Sequence, residues 1–195
     1  MWGQWWRLRG SESNQRGKIA EEAAVEQIRR DAASSGKVIY EVDGSNGPGG
    51  YDNVRIEFEG EGANMTAVIK IGEVKWHGDR YVPFADFTAI VDNMQKNYEA
   101  LEERLYGLVK SGELSPDQAD ALQEAIADKL VSVELFTAGR TKIGSQGANT
   151  ALQKIQDSLN GFFEKKVPVS IEKIEDAILR QAEGAAAAQA AKGGG

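Results

Sequence analysis

The apolar residues of this chain recur at helical spacing in one early segment and then switch to an alternating pattern. Between Gly17 and Arg30, small and apolar residues fall three or four positions apart, which predicts an amphipathic first helix. The run 34–36 is typical of a helix end. Three stretches then alternate as half-buried strands do: 37–42, 51–58 and 65–76. Only the turn 59–64 separates the last two, so we expect them to be antiparallel neighbours.

Helical spacing returns after the third predicted strand. Apolar residues from Phe84 to Leu108 predict a long helix with a break near Gly107, and Ser115-Pro116 is a favourable start for the next helix. Residues 97–130 are therefore expected to form a helical hairpin appended to the sheet. A fourth strand, a helix and a last helix capped by Ser170 are predicted in this order: 131–137, 152–163 and 170–180.

Two end segments differ from the region between them. Residues 1–15 contain three tryptophans and have no clear period, which predicts a hydrophobic strap over the core or, alternatively, a stacking platform for bases. Residues 184–195 are nearly all alanine and glycine, and we expect them to be disordered. Residues 16–183 are expected to form a single α/β domain in which helices flank a small mixed sheet.

The side-chain inventory restricts the metal chemistry. The chain has no cysteine and one histidine, His77, so thiolate and multi-histidine metal sites are excluded. Any metal is expected to be held by oxygen ligands, which favours Mg²⁺ or Mn²⁺. No apolar run approaches the roughly 20 residues of a membrane span, and the N-terminus lacks a signal-peptide pattern.

The acidic charge is concentrated in one segment. A net charge of -7 is the reverse of the basic surface that nucleic-acid-binding proteins usually carry. From Glu99 to Glu134, however, nine acidic residues stand against three basic ones, so this segment holds most of the imbalance. The stretches 1–18 and 137–170 are locally basic. Four residues of the second stretch are candidate contacts to a nucleic-acid backbone: Arg140, Lys142, Lys165 and Lys166.

The main candidate chemistry lies in the strand segment Glu73-Val74-Lys75. Glu73 and Lys75 are two positions apart, so they project from the same face of a strand. The predicted hairpin brings Asp52, which follows a glycine-rich run, close to both. Two carboxylates can bind a divalent ion that polarises a phosphate, while a lysine orients the attacking water. The alternative is an ordinary ion pair beside a turn residue, although unpaired charges on so apolar a strand are costly.

Three short motifs in this order resemble the PD-(D/E)xK nuclease superfamily, and within it the toxin-type nucleases at the C-termini of bacterial polymorphic and contact-dependent effectors. The motifs are Gly17-Lys18-Ile19-Ala20-Glu21 on a helix, Gly49-Gly50-Tyr51-Asp52 opening a strand, and Ile71-Gly72-Glu73-Val74-Lys75 on the next strand. The chain departs from the pattern at Tyr51, where a proline often stands, and at Glu22, which competes with Glu21.

The resemblance implies a three-layer restriction-endonuclease-like core that carries the helical hairpin as an insertion. It implies Mg²⁺ or Mn²⁺ held by Asp52 and Glu73, water activated by Lys75, and assistance from Glu21. Gln95 is an accessory candidate from the same resemblance. His77, two positions after Lys75 and on the same strand face if the strand continues, is a second accessory candidate.

The implied function is a metal-dependent DNA endonuclease that acts as a toxin in interbacterial competition. Such a domain is expected to be delivered by a larger effector into the target-cell cytoplasm, to lack its own signal peptide, and to be neutralised by an immunity protein. Two alternatives stay open at the level of sequence. One is a nuclease directed at tRNA or other RNA, and the other is a non-catalytic adaptor whose acidic segment Glu99–Glu134 binds a basic partner.

Overall fold

A computed structural model describes residues 3–42, 50–77, 84, 86–139 and 143–193, with side chains from residue 14 onwards. Helices and strands alternate along it as an α/β fold, with a short 3₁₀ turn at Gly62–Asn64. The elements are α1 Gly3–Ser35, β1 Val38–Val42, β2 Asn53–Glu59, β3 Thr66–His77, α2 Phe87–Ser111, α3 Pro116–Ala127, β4 Val131–Gly139, α4 Gln146–Phe163, β5 Val169–Lys173 and α5 Asp176–Gly193.

The strands form one open mixed sheet in the order β1-β2-β3-β4-β5. β1, β2 and β3 are consecutive antiparallel neighbours, which confirms the predicted hairpin, whereas β3, β4 and β5 run parallel to one another. Parallel neighbours need crossover connections, and α2 with α3, and then α4, supply them. The predicted α/β class with a mixed sheet and flanking helices is therefore confirmed.

Each face of the sheet is covered by its own group of helices. Alternate residues of β2, β3 and β4, such as Ile56, Ile69 and Val133, pack with α2, α3 and α4 in the larger core. The opposite face contributes Val74 and Phe136 to a smaller core with α1 and α5. Two covered faces explain why β3 and β4 bury apolar side chains on both sides, although the side toward α1 also carries Lys70 and Glu134.

The predicted helical hairpin is present but is part of the larger core instead of an appendage. Leu105 of α2 and Leu122 of α3 are fully buried within that core. α2 also continues without a break through Gly107 to Ser111, so the break expected there is wrong. The predicted start of α3 is confirmed, because Ser115 and the side chain of Gln118 form a complete capping box.

Both ends of the chain differ from their predictions. α1 begins at Gly3, so most of the segment 1–15, in which the sequence shows no clear period, continues the first helix. Ser170 lies inside β5 and does not cap a helix, and β5 itself was not predicted. α5 extends to Gly193, so the tail 184–195, expected to be disordered, is helical over most of its length. The glycine-rich run before Asp52, residues 43–50, lies almost wholly outside the described residues.

In the part of the chain that the structure describes, no helix has both the length and the apolar character that a membrane span requires.

Candidate active site

The candidate site lies where β2 ends and β3 continues alone. The last pair of the β2–β3 ladder is Asn53 with Gly72, but β3 extends to His77 with β4 as its partner on the other side. Among the described residues, no strand pairs with the edge of β3 that faces β2 beyond Gly72. Asp52 occupies this gap, where the Val74 backbone N–H donates to Asp52 Oδ2 at 2.6 Å. The hairpin thus brings together the residues that the sequence predicted to meet.

Glu73 and Lys75 project from the same face of β3 and form a direct ion pair between Glu73 Oε1 and Lys75 Nζ. The Glu73 side chain is only 6% exposed, whereas that of Lys75 is 45% exposed. The carboxylate is therefore fixed inside the protein, while the ammonium reaches the surface. A buried carboxylate with one partly exposed cation as its partner leaves part of its negative charge unbalanced.

Burial and mutual repulsion raise the pKa of the carboxyl groups at this site. Burial raises the pKa of Glu73, and the nearby charge of Asp52 raises it further against the opposing effect of Lys75. Burial also raises the pKa of Asp52, although the Val74 N–H and Lys75 partly offset it. For Lys75, burial alone would lower the pKa, but Glu73, Asp52 and Glu21 outweigh it and raise the pKa. The site therefore carries more negative than positive charge.

α1 supplies Glu21, and its burial distinguishes it from Glu22, the other glutamate considered for the same role. Glu21 is half-buried, whereas Glu22 is exposed. Burial and then the charge of Asp52 raise the pKa of Glu21, while Lys75 and Lys18 lower it. Glu21 therefore lies within electrostatic range of the strand residues. Ala20 and Ala24, both fully buried in the smaller core, fix the helix face that carries it.

α2 holds the segment that precedes Asp52. The Tyr51 hydroxyl donates to the Met94 carbonyl at 2.8 Å, and Asn93 Nδ2 donates to the Gly50 carbonyl at 3.3 Å. Tyr51 is buried, so the residue that departs from the family pattern anchors the strand start to α2. Gln95 is half-buried on the same helix but makes no hydrogen bond to Asp52, Glu73 or Lys75 within the described part of the chain.

His77 lies on the continuation of β3, as predicted. Its ring packs edge-to-face against Phe84, with 5.3 Å between ring centroids. Burial, and then the nearby positive charge of Lys75, lower the pKa of His77, which favours the neutral imidazole. His77 Nε2 is buried and has no hydrogen-bond partner among the described residues. The ring is therefore a neutral neighbour of Lys75 at the end of the strand.

The predicted backbone-contacting lysines do not join this site. Lys165 donates to the Asp128 carbonyl at the end of α3, and Lys166 is exposed next to it. Asp128 precedes β4, whereas Glu73 pairs with Leu135, four residues into that strand and about 13 Å along it. These lysines lie toward the other end of β4. Arg140 and Lys142, the remaining predicted contacts, lie outside the described residues.

Two features near the site were not predicted from the sequence. Gly72 leaves room for the Asn53 side chain, because a Cβ at position 72 would lie 2.1 Å from Asn53 Oδ1. Arg16 is exposed on α1, and its guanidinium lies 5.8 Å from the centre of the Trp76 ring. The basic composition of residues 1–18 was the available signal for Arg16. That composition predicted positive charge near the N-terminus, but it did not predict that Arg16 lies beside Trp76 of β3.

The donor set at this site suits a hard divalent cation. Asp52 and Glu73 provide carboxylate oxygens, and an excess of buried negative charge is what such an ion neutralises. Among the described residues, no three Asp, Glu or His side chains gather closely enough to form a metal site by themselves. The expected ligand set accordingly has two carboxylates and needs backbone or water oxygens for the rest, as Mg²⁺ sites often do.

Comparison with known proteins gives no relative for this chain, since no family model, no curated protein and no solved structure matches it.

Proposed function

We propose that the protein is a metal-dependent endonuclease that hydrolyses phosphodiester bonds, with DNA as its preferred substrate. The observation that carries this proposal is the meeting of Asp52, Glu73 and Lys75 in the gap beside β3. One buried and one half-buried carboxylate next to a lysine that reaches the surface would provide metal binding and a mobile proton in one place. The resemblance of the three motifs to PD-(D/E)xK nucleases rests on these same residues.

The order of elements supports a restriction-endonuclease-like core. In that interpretation α1, the antiparallel hairpin and the crossover to β4 form the core, and both faces of the sheet are covered by helices. Glu21 then comes from the first helix, Asp52 from the start of the second strand and Glu73 with Lys75 from the third. The same order along the chain is expected from the family motifs.

Each residue has a distinct proposed role. Asp52 and Glu73 would hold Mg²⁺ or Mn²⁺, which when bound polarises the phosphate and lowers the pKa of bound water. Lys75 Nζ orients the attacking water and balances negative charge that develops on the phosphate oxygens. Glu21 adds to the negative potential that favours the cation. The Val74 N–H keeps the Asp52 carboxylate in place.

We further propose that the nuclease is the toxin domain of a larger effector, acts in the cytoplasm of a target cell and is inhibited by a cognate immunity protein. This part of the proposal rests on the motif resemblance alone. Co-expression provides its test. A small protein encoded next to this chain should relieve its toxicity in the cytoplasm and bind it as a stable complex.

Plasmid cleavage tests the catalytic proposal. The purified chain should nick and then degrade supercoiled plasmid with Mg²⁺ or Mn²⁺, and EDTA should stop the reaction. Glu73→Gln should reduce the rate about 100-fold or more because it removes a metal-binding carboxylate. Lys75→Met should reduce it by about 10²–10⁴-fold, the usual contribution of a positioned proton-transfer group.

Glu22→Gln is the matched control, because Glu22 neighbours Glu21 in the chain but is exposed. It should cleave like the wild type. Equal rates for Glu73→Gln and the wild type would contradict the proposed site. Degradation of total RNA with no plasmid cleavage would assign the activity to RNA. No cleavage with any metal, together with a salt-sensitive complex with a basic protein, would favour the adaptor function.

A further inference from the structure

A polar cavity adjoins the candidate site on the α1 side of the sheet. It has a volume of about 140 Å³ and is lined partly by Val25, Ile28, Glu41, Asp52, Asn53 and Arg55. Val25 and Ile28 of α1 provide apolar walls, whereas the strand residues provide polar groups. Because Asp52 lines this cavity and also accepts from Val74, the cavity directly borders the place where the proposed metal binds.

Two residues of the cavity have buried polar atoms without partners. Asn53 Oδ1, Asn53 Nδ2 and Arg55 Nη1 have no hydrogen-bond partner among the described residues. An unpaired buried group of this kind loses its hydrogen bonds to water without replacement, so native proteins rarely retain several side by side. Asn53 and Arg55 both line this cavity, so a ligand or ordered water that offers donors and acceptors there is the partner we infer for them.

The ion pairs of Arg55 fix the position of its unpaired donor nitrogen, Nη1. Arg55 Nη2 binds Glu57 Oε1 at 2.8 Å and Glu134 Oε2 at 2.7 Å, while Nε also donates to Glu57. The guanidinium is therefore locked in one orientation, with Nη1 as the remaining unpaired nitrogen. The amide of Asn53 is equally fixed, because it lies against Gly72 with no space for a side chain there.

We propose that this cavity is a base-binding subsite of the nuclease and takes one pyrimidine base from an unpaired or flipped-out nucleotide; this inference rests on the proposed function. A cavity of roughly 150 Å³ holds one benzene ring, so a volume of about 140 Å³ fits a pyrimidine but not the two fused rings of a purine. Asn53 offers one donor and one acceptor to the base edge, and Arg55 Nη1 donates to a base carbonyl.

The apolar and open sides of the cavity fit the same ligand. Val25 and Ile28 contact the face of the ring, as apolar side chains do around bases removed from a stack. Glu41 marks the open side, since its side chain is 41% exposed and is held away by an ion pair with Arg29. A base bound here would place its attached phosphate near Asp52.

Nucleotide binding without metal separates this inference from the catalytic proposal. We would titrate the wild-type chain in EDTA with cytidine 5′-monophosphate and with adenosine 5′-monophosphate, following amide shifts by NMR. The pyrimidine nucleotide should bind and shift residues around Asn53, and the purine nucleotide should not. Asn53→Leu and Asn53→Ala should each weaken binding about tenfold or more, the usual value of a paired base contact.

Asn149→Leu is the control, because Asn149 is exposed on α4, outside the residues that line this cavity. It should bind like the wild type. Pyrimidine binding by a chain that cleaves nothing would support the subsite and contradict the nuclease. Plasmid cleavage together with equal binding of both nucleotides, or of neither, would overturn the subsite and leave the nuclease standing. A thermal unfolding curve for each variant shows that it is folded.

Discussion

Glu73 is a carboxylate in a position that favours the neutral acid. Burial and the neighbouring charge of Asp52 raise its pKa, and Lys75 pairs with it directly. Stability and the proposed chemistry therefore make opposite demands on this residue. Such a conflict is common at active sites, where a destabilising charge is kept for function. A neutral substitute of the same shape should relieve the cost and abolish the chemistry.

Glu73→Gln is expected to stabilise the metal-free protein by about 1 kcal/mol, which corresponds to a rise in Tm of about 2–4 °C for a chain of this size. Addition of Mg²⁺ should raise the Tm of the wild type, because an ion that binds only the folded state stabilises it, but not that of Glu73→Gln. Differential scanning calorimetry with and without Mg²⁺ measures both effects. A lower Tm for the metal-free variant would show that the pair with Lys75 outweighs the burial cost.

At the scale of elements, two glycines in and after α2 have opposite functions. Gly107 lies within the helix, is exposed, and has open space where a Cβ would be. Gly112 ends the helix with φ of 78°, a left-handed conformation that side chains other than glycine adopt at a cost. The first glycine weakens the helix, whereas the second terminates it.

Gly107→Ala should stabilise the protein by about 0.5–1 kcal/mol, because alanine loses less backbone entropy in a helix. Gly112→Ala should destabilise it by about 1 kcal/mol because of the left-handed backbone. Urea unfolding monitored by circular dichroism distinguishes the two. If Gly112→Ala unfolds at the same urea concentration as the wild type, the assigned terminator role is wrong.

Local patterns predicted most elements, and the failures occur where tertiary context decides. The hairpin of β2 and β3 follows from the alternation of apolar and polar residues, and the Ser115 cap follows from capping chemistry. Because the hairpin was predicted, the proximity of Asp52 and Glu73 was predicted with it. β5 was missed because it is a five-residue edge strand whose pairing with β4 cannot be inferred locally. The packing of α1 against α5 could not be predicted from local patterns either, although Ile178 of α5 is buried in the smaller core.

The site was predictable only as far as residues share a strand or a hairpin. Glu73 and Lys75 follow from strand geometry, but the Asn53–Gly72 contact depends on the exact register of the ladder. A shift of one residue would move every side chain to the other face, and sequence patterns rarely fix the register that well. The cavity beside Asp52 was invisible for the same reason.

At the scale of the whole molecule, a network of charges connects β2, β3, β4 and the residue before β1 on the face that α1 covers. Arg55 of β2 binds Glu57 and Glu134, while Lys70 of β3 lies 3.2 Å from Glu134. Lys37, next to β1, lies 3.1 Å from Glu57. Buried networks of this kind depend on complete pairing, because removal of one partner leaves another charge buried alone.

Because of this network, the free energy of unfolding should depend on pH in the acid range. Burial alone would raise the pKa of Glu57, but Lys70, Lys37 and Arg55 outweigh it and hold the pKa below its ordinary value of 4.5. The contribution of Glu57 is therefore fully present above pH 4.5 and is lost as the pH falls through its lower folded-state pKa. Glu57→Gln should cost about 1.5–3 kcal/mol at pH 7, the range for hydrogen bonds to charged groups.

The difference between Glu57→Gln and the wild type should shrink as the pH falls below 4.5 and disappear below the lowered folded-state pKa of Glu57, where both proteins carry a neutral side chain at this position. Urea unfolding at pH 7, 5 and 3 measures this difference. Glu61→Gln is the control, because Glu61 is exposed in the turn after β2 and should show little change at any pH. A difference that stays constant from pH 7 to pH 3 would contradict the role of the Glu57 charge.

The central position of β3 also has a consequence for how the protein is made. Glu21, Asp52, Glu73 and Lys75 all leave the ribosome before β4, which ends about 60 residues after β3. At the usual rate of about 5–20 residues per second, this delay is roughly 3–12 s. During that time β3 is an edge strand with one neighbour, and its later parallel pairing is a slow, non-local step. The strand that carries Glu73 and Lys75 therefore gains its second neighbour only after this further part of the chain has been made.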